Sequence, residues 1–195
     1  MTRGRRSVLV GCFLVVLALA MSACGSKSSN SSAPNPNATD ATPAGDIPDN
    51  QAFVPYASAS DAYALRYPEG WTEQHGAHAT TFSWHYNGIT VLASKRAAQP
   101  TGASVTKTDV TGLRAVPGFK LVGVDTVRRT AGPAIRIRYE TQSAPDPVTG
   151  KRVTLDAERY LFWRAGRLPA LTLSAPHGSD NVDAWRTITN SLAWK

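Results

Sequence analysis

Three histidines are the residues whose type and spacing best suit a metal site. His75 and His78 flank a Gly-Ala pair, and His85 follows seven residues later. Two imidazoles across a turn can reach one ion, and His85 would add a third ligand if the strands pair suitably. Neither a cysteine nor a carboxylate pattern completes the set. We therefore favour exposed histidines at a hairpin tip, and expect neither a metal ion nor another cofactor.

Two short patterns bear comparison with serine enzymes. Ser104 and Lys107 fit the Ser-x-x-Lys motif of penicillin-recognising enzymes, and residues 179–181 fit their Ser-Asp-Asn motif. Their Lys-Thr-Gly motif is absent from the sequence, and their domains are much larger. Segment 177–180 also holds a His, a Ser and an Asp, but members of a catalytic triad converge from distant segments. We expect no catalytic site from either pattern.

Charged residues and aromatic residues have simpler explanations. Asp156 and Glu158 share one face of a predicted strand, and Arg136 and Arg138 share a face of its neighbour. Cross-strand ion pairs account for these four residues without any further function. By pattern the five tryptophans belong mostly to the core. An exposed subset would form a sugar- or lipid-binding patch.

Alternating apolar and polar residues predict an antiparallel sheet joined by short turns. The predicted strands are 62–67, 71–75, 80–86, 89–94, 119–129, 133–141, 152–164 and 168–174. Asn87-Gly88 is expected to form a hairpin turn because both residues accept positive φ.

Two helices complete the predicted fold. Residues 105–116 have apolar residues at roughly helical spacing, and Thr106 with Asp109 resembles a capping pair. A final helix is expected to begin at a Ser179 or Asp180 cap and to reach Leu192. Its apolar stripe is Val182, Trp185, Ile188 and Leu192. A sheet with segregated helices is an α+β fold.

The N-terminus has the features of an export signal. Residues 1–23 contain three arginines followed by an apolar run over 8–20. That run is shorter than a membrane-spanning helix, which needs about 20 residues. Residues 21–25, Met-Ser-Ala-Cys-Gly, resemble the lipobox of bacterial lipoproteins. The resemblance implies that a diacylglyceryl group is attached to Cys24 and that cleavage precedes it. The alternative is an ordinary secretory signal that leaves Cys24 free.

The remaining chain divides into a tether and one domain. Residues 24–52 are rich in Ser, Asn, Pro and Thr, which predicts a disordered tether. Residues 53–195 suit a single domain with one ordinary core. This domain has no cysteine, so its sequence excludes a disulfide and a cysteine nucleophile.

The charge of the chain does not point to a nucleic-acid partner. The net charge is +7, and without the three leader arginines 18 basic residues face 14 acidic ones, leaving +4. Such a mild excess is typical of a solvated surface. The expected location is extracytoplasmic, with the chain anchored to the cell membrane by lipid on Cys24.

Short stretches spread over residues 53–195 carry a family resemblance. They are Tyr63-Ala64-Leu65-Arg66-Tyr67-Pro68-Glu69-Gly70-Trp71, Pro117-Gly118-Phe119-Lys120, Gly132-Pro133-Ala134, Asp180-Asn181, Trp185 and Ser191-Leu192-Ala193-Trp194. In order and spacing they resemble the PsbP-like fold group, which includes actinobacterial lipoproteins of the LpqN type. The resemblance implies an α/β/α sandwich, a central antiparallel sheet with flanking helices, and no enzymatic reaction. Metal-binding residues of the photosynthetic members do not map onto matching motifs here.

These features favour a non-catalytic envelope lipoprotein. Its PsbP-like domain is expected to bind a protein partner or a lipid or glycan ligand of the cell envelope. The alternative is a carrier of a lipid, a small molecule or a metal. A small envelope hydrolase is the third hypothesis. Fold alone does not decide among them.

Overall fold

The computed structural model describes residues 45–61 and 63–195. Expectations for the leader, for Cys24 and for the tether up to residue 44 lie outside the described residues. The ten strands of the described region are β1 (Phe53–Ala57), β2 (Tyr63–Pro68), β3 (Thr72–His75), β4 (Ala79–Trp84), β5 (Asn87–Lys95), β6 (Lys120–Arg129), β7 (Gly132–Gln142), β8 (Thr154–Phe162), β9 (Arg167–Pro176) and β10 (Ala193–Trp194). Its helices are α1 (Gly102–Lys107), α2 (Asp109–Leu113) and α3 (Val182–Ser191). Within these described ranges no helix combines the length and the apolar character needed to cross a membrane.

The strands form two antiparallel sheets. The larger sheet has seven strands in the order β3-β4-β5-β9-β8-β7-β6, and the smaller has the order β1-β2-β10. Every pairing is antiparallel, as the short predicted turns require. Strands β1 and β10, which form the two edges of the small sheet, are not predicted from the sequence.

The two faces of the large sheet bury different hydrophobic clusters, because neighbouring residues of a strand point to opposite sides. On the first face, Leu171 and Leu173 of β9 pack with Ile188 of α3 and with Tyr63 of the small sheet. On the second face, Ile135 and Ile137 of β7 pack with the two short helices through Val105 and Val110. The described members of both clusters lie between Ile47 and Leu192, so residues 45–195 hold a self-contained core of the kind that folds independently.

These layers confirm the predicted fold class. A central antiparallel sheet lies between helices α1 and α2 on one face and α3 with the small sheet on the other. The chain is therefore an α+β sandwich.

The β4–β5 hairpin is present, but its predicted turn is wrong by two residues. Trp84 pairs with Asn87, so the two-residue turn is His85-Tyr86, with His85 at φ 51°. Asn87 is the first residue of β5 and is buried in the interior of the domain instead of lying in the turn. Gly88 lies where a Cβ would come within 3.0 Å of the Ser174 hydroxyl. The tertiary contacts of these two residues override their turn preference.

The predicted helix over 105–116 is replaced by two short helices that begin earlier. Thr101 and Ser104 form a reciprocal capping box, with N–H to hydroxyl distances of 2.9 and 3.2 Å. The expected capping residue Asp109 instead receives two hydrogen bonds from Arg96, at 2.9 and 3.0 Å. Threonine-rich sequence supports a long helix poorly, which explains the break between α1 and α2.

The final helix begins at Val182, later than predicted. Its N-cap is Asn181, whose side chain does not cap the helix. Ile188 and Leu192 of the predicted stripe are fully buried, but Val182 is 62% exposed. The side chain of Asn181 instead forms hydrogen bonds with the backbone of Gly45 and Ile47.

Residues 45–52, which the sequence assigns to the tether, pack onto the domain. Ile47 belongs to the first-face cluster and is 5% exposed. The buried side chain of Asn181 accepts a hydrogen bond from Ile47 N at 2.6 Å and donates one to Gly45 O at 2.9 Å. It also lies 3.5 Å from the side-chain oxygen of Asn87. The folded region thus includes residues upstream of the expected boundary at residue 53.

We expect Asn181→Ala to destabilise the domain by about 2–3 kcal/mol, because it leaves the buried N–H of Ile47 and C=O of Gly45 without partners. Asp180→Ala is the matched control, since it truncates an exposed neighbour and keeps the backbone hydrogen bond to Asp46. Urea unfolding of residues 45–195 measures both. Equal midpoints for the two variants would contradict this role of Asn181.

Candidate functional site

A cleft of about 400 Å³ lies between the start of α3 and strands β6, β7 and β8. Its floor is the first face of the sheet at a place where that face is charged rather than apolar. The lining residues are Val122, Arg129, Arg136, Arg138, Tyr139, Asp156, Ala157, Glu158, Tyr160, Ala175, Pro176, Ser179, Asn181, Val182, Trp185 and Arg186. This cleft is the candidate functional site.

Arg136 is the centre of the charged floor. Its Nε and Nη2 donate to the two carboxylate oxygens of Asp125, at 3.2 and 2.9 Å, and its Nη1 donates to Glu158 at 3.2 Å. Burial lowers the pKa of Arg136, but the hydrogen bond to Asp125 and the charge of Glu158 outweigh it and raise that pKa. Arg136 therefore stays charged, and each of its three nitrogens donates a hydrogen bond.

Tyr160 joins this ion-pair group to a second arginine. Its hydroxyl donates a short hydrogen bond to Glu158 and accepts one from Arg129 at 3.2 Å. The Arg129 guanidinium lies 5.2 Å from the centre of the Tyr160 ring and also donates to Thr189 of α3 at 2.8 Å. Burial, with help from Glu158, raises the pKa of Tyr160, so its hydroxyl stays protonated and continues to donate.

The rim of the cleft carries exposed apolar side chains next to the exposed Arg186. Val182 at the start of α3 is 62% exposed, and Val122 on β6 is 53% exposed. Trp185 lines the cleft one helical turn beyond Val182 and is half-buried. A charged floor with apolar walls suits a ligand that has both a polar group and an apolar part.

The three candidate metal-ligating histidines are not brought together. His75 pairs with Glu73 at 2.9 Å and lies beside Tyr56, whereas His85 sits at the other end of β4 against Trp84. Five strand residues separate these ends, or roughly 16 Å. Among residues 45–61 and 63–195, no group of three His, Cys, Asp or Glu side chains could hold a metal ion.

His78 lines a second hollow, of about 820 Å³, together with Lys95, Arg167 and Trp194. One side of this hollow is the loop that contains residue 62, which lies outside the described residues.

The His, Ser and Asp of segment 177–180 do not form a catalytic set. His177 Nδ1 lies 2.9 Å from Asp156 on β8, while the hydroxyl of Ser179 is buried and has no hydrogen-bond partner among the described residues. Ser179 packs beneath Gly45, where a Cβ would come within 2.5 Å of its oxygen. The serine of the other pattern, Ser104, belongs to the capping box of α1 on the opposite face of the sheet.

The expected ion pairing between β7 and β8 is present in part. Arg136 pairs with Glu158, but Asp156 pairs with His177 instead of an arginine. Sequence reasoning missed that these residues line a cleft. The available signal was a run of charged residues on one face of adjacent predicted strands, where a core face is normally apolar.

Comparisons with known proteins show the fold. No protein-family model matches the chain, and no curated protein matches it. The solution structure of cyanobacterial PsbP (CyanoP) from Synechocystis sp. PCC 6803 is similar, with 15% identity and a TM-score of 0.53 over 74% of this chain and 94% of that chain. The chain thus has a PsbP-like fold.

Other similar structures are more distant. LpqN, described as involved in cell envelope biogenesis of Mycobacterium tuberculosis, is 16% identical with a TM-score of 0.46, over 74% of this chain and 91% of that one. A protein from Bacteroides thetaiotaomicron is 14% identical with a TM-score of 0.46, over 72% of this chain. The match spans about half, 48%, of the Bacteroides chain.

We expect the His177–Asp156 pair to stabilise the domain at mildly acidic pH and to lose this effect as pH rises. The hydrogen bond to Asp156 and its charge raise the pKa of His177 above its ordinary 6.5. A raised pKa in the folded state contributes stability that is complete below the unfolded value and disappears as pH passes through the folded value. The difference in unfolding free energy between wild type and His177→Gln should therefore fall between mildly acidic and alkaline pH.

NMR titration of the His177 ring gives the direct measurement. Asp156→Asn is the control and should return the pKa of His177 towards its ordinary value. A wild-type titration midpoint at or below 6.5 would refute the pairing.

Proposed function

We propose that this chain is an extracytoplasmic binding protein, held to the cell membrane by lipid on Cys24. In this proposal the cleft beside α3 binds a ligand of the cell envelope and does not transform it. The sequence supports the export and the anchor through the leader and the residues around Cys24. The architecture supports the binding role through the cleft.

The observation that carries the binding role is the state of the charged groups on the cleft floor. Asp125, Arg136, Glu158 and Tyr160 satisfy one another through hydrogen bonds of 3.2 Å or less. Such a network is preorganised, which suits recognition. General acid–base catalysis instead needs a group that can exchange its proton near working pH, and the raised pKa values of Arg136 and Tyr160 make these two groups unsuited to that role.

The dimensions of the cleft favour a small ligand over a protein partner. A volume of about 400 Å³ falls in the range of small-molecule sites. The apolar side chains at its rim, Val122 and Val182, stand on two facing elements rather than on one flat patch. A concave site with two walls encloses a ligand, whereas protein partners more often meet broader surfaces.

We expect residues 45–195 to retain a small molecule from a detergent-free extract of the envelope of the source organism. Val182→Glu should reduce this retention by about tenfold or more, because it places a charge on the apolar wall. The substitution is compatible with folding, since Val182 is exposed and an acidic residue is favourable at a helix N-terminus. Mass spectrometry of the eluted compounds measures the retention.

Val148→Glu is the matched control for this experiment. Val148 is 91% exposed on the turn between β7 and β8 and does not line the cleft. Retention equal for wild type, Val182→Glu and Val148→Glu would remove the cleft from the proposal. Turnover of any recovered compound would favour a hydrolase instead.

The anchor is tested by substituting each of the two cysteines. Cys24→Ser should abolish lipid attachment and release the protein from the membrane fraction, because stable anchoring needs two or more buried acyl chains. Cys12→Ser changes only the leader and should leave both properties intact. Mass spectrometry of the mature N-terminal peptide and membrane fractionation measure the outcome. An unmodified Cys24 thiol in the wild-type protein would indicate an ordinary secretory signal.

A further inference from the structure

The arginines on the cleft floor differ in how fully their donors are used. Arg136 and Arg129 each donate hydrogen bonds from Nε, Nη1 and Nη2. Arg138 donates none to any residue of 45–61 or 63–195, and its Nε is buried. Its nearest carboxylate oxygen, on Asp125, is 3.8 Å from Nε, beyond hydrogen-bond distance. Arg138 thus presents a guanidinium with unused donors to the cleft.

The carboxylates around Arg138 cannot easily supply the missing partner. Both oxygens of Asp125 already accept from Arg136, and both oxygens of Glu158 accept from Arg136 and Tyr160. The Arg138 side chain is 43% exposed although its Nε atom is buried, so an oxyanion from solution can reach the outer part of the guanidinium.

The balance of charged side chains on the cleft floor also favours binding of one anion. The floor holds three cations, Arg129, Arg136 and Arg138. They face Glu158 on the floor and Asp125 on β6, an ion-pair partner of Arg136 that does not itself line the cleft. The remaining lining carboxylate, Asp156, is engaged by His177 and by the backbone N–H of Gly178. On α3, Arg186 is balanced by Asp183 at 3.1 Å. When His177 is protonated its pair with Asp156 is neutral, and the excess on the floor is then a single positive charge.

A break in the sheet makes space for this guanidinium. Leu121 pairs with Tyr139 and Gly123 with Arg138, so Val122 is an extra residue that bulges from β6. A Cβ on Gly123 would lie 3.2 Å from Arg138 Nη2, so the glycine leaves room for the guanidinium to lie against the strand. The same bulge brings the exposed Val122 to the cleft wall. The position of the Arg138 guanidinium and the apolar wall therefore depend on one local feature.

We propose that Arg138 binds an oxyanion, a carboxylate or a phosphate, on an amphiphilic ligand whose apolar part lies between Val122 and Val182. Guanidinium pairs with both oxyanions through two parallel N–H···O bonds. This inference rests on the proposed function and names the chemical class of the ligand for the same cleft.

The test measures binding of defined probes to residues 45–195 below their micellar concentrations. Dodecyl phosphate and dodecanoate carry an oxyanion on a twelve-carbon chain, inorganic phosphate carries the anion alone, and dodecyl maltoside carries the chain alone. We expect the first two probes to bind and to shift the Arg138 Nε–Hε resonance, which is assigned by its loss in Arg138→Gln. Inorganic phosphate and dodecyl maltoside should each bind at least about tenfold more weakly.

Substitutions separate a specific contact from a general charge effect. Arg138→Gln should weaken dodecyl phosphate binding by about tenfold or more, since a hydrogen-bonded charge pair is lost. Arg138→Lys should bind with intermediate affinity, because it keeps the charge and loses the two-pronged geometry. Arg164→Gln removes the same charge from the exposed turn between β8 and β9 and should bind like wild type.

Several results would overturn the inference. Equal affinity in wild type and Arg138→Gln would remove Arg138 from the site. Inorganic phosphate binding as tightly as dodecyl phosphate would indicate a site for free phosphate rather than for an amphiphile. Dodecyl maltoside binding as tightly as dodecyl phosphate would show an apolar cleft without anion recognition, and absence of binding by both anionic amphiphiles would also reject the assignment. In each case the proposed function is judged separately, by retention of an envelope compound that Val182→Glu reduces.

Discussion

The alternation of side chains along β7 determines where this domain can bury a core and where it cannot. Residues 135, 137 and 139 point to one side of the sheet and are apolar, while 136, 138 and 140 point to the other and are charged. Yet the side with the charged residues is the first face, on which β5 and β9 carry the larger hydrophobic cluster. One face therefore changes from apolar to charged between β9 and β7. Helix α3 packs Ile188 over the apolar part and borders the charged part, because removing charged groups from water beneath an apolar helix face is costly.

The ion pairs on that face are needed to make the arrangement stable. A half-buried guanidinium is tolerated only when its neighbours compensate the lost hydration, and Arg136 meets this condition with three hydrogen bonds. Arg129 meets it with neutral acceptors and with the Tyr160 ring, and at the same time binds Thr189 of α3. The position of α3 is thereby coupled to the charged floor. Arg138 is the member of the group whose Nε finds no such partner among the described residues.

Much of this architecture follows from local sequence patterns, and the exceptions have physical causes. The alternating strands, the antiparallel order and the buried side of β2 are predictable, because periodicity reports which face of a strand is apolar. The turn at His85-Tyr86 is not predictable, since Asn87 and Gly88 have stronger local preferences and are used for contacts with α3 and β9. The packing of Ile47 is not predictable either, because it lies in a segment whose composition predicts disorder. The cleft was missed because it depends on a bulge and on the end of a helix, neither of which periodicity reveals.

Asn181 connects these features into one unit. Its side chain fixes the backbone of Gly45 and Ile47, its backbone C=O accepts the first hydrogen bond of α3 from Trp185, and its surface lines the cleft. Asn181 therefore fixes the position of residues 45–47, where the chain enters the domain. It also fixes the start of α3, which forms one wall of the cleft. Displacement of residues 45–47 would take away the backbone partners of the buried Asn181 side chain next to the cleft. The entry segment thus belongs to the structure of the binding site, although no residue of it carries a charge that touches the floor.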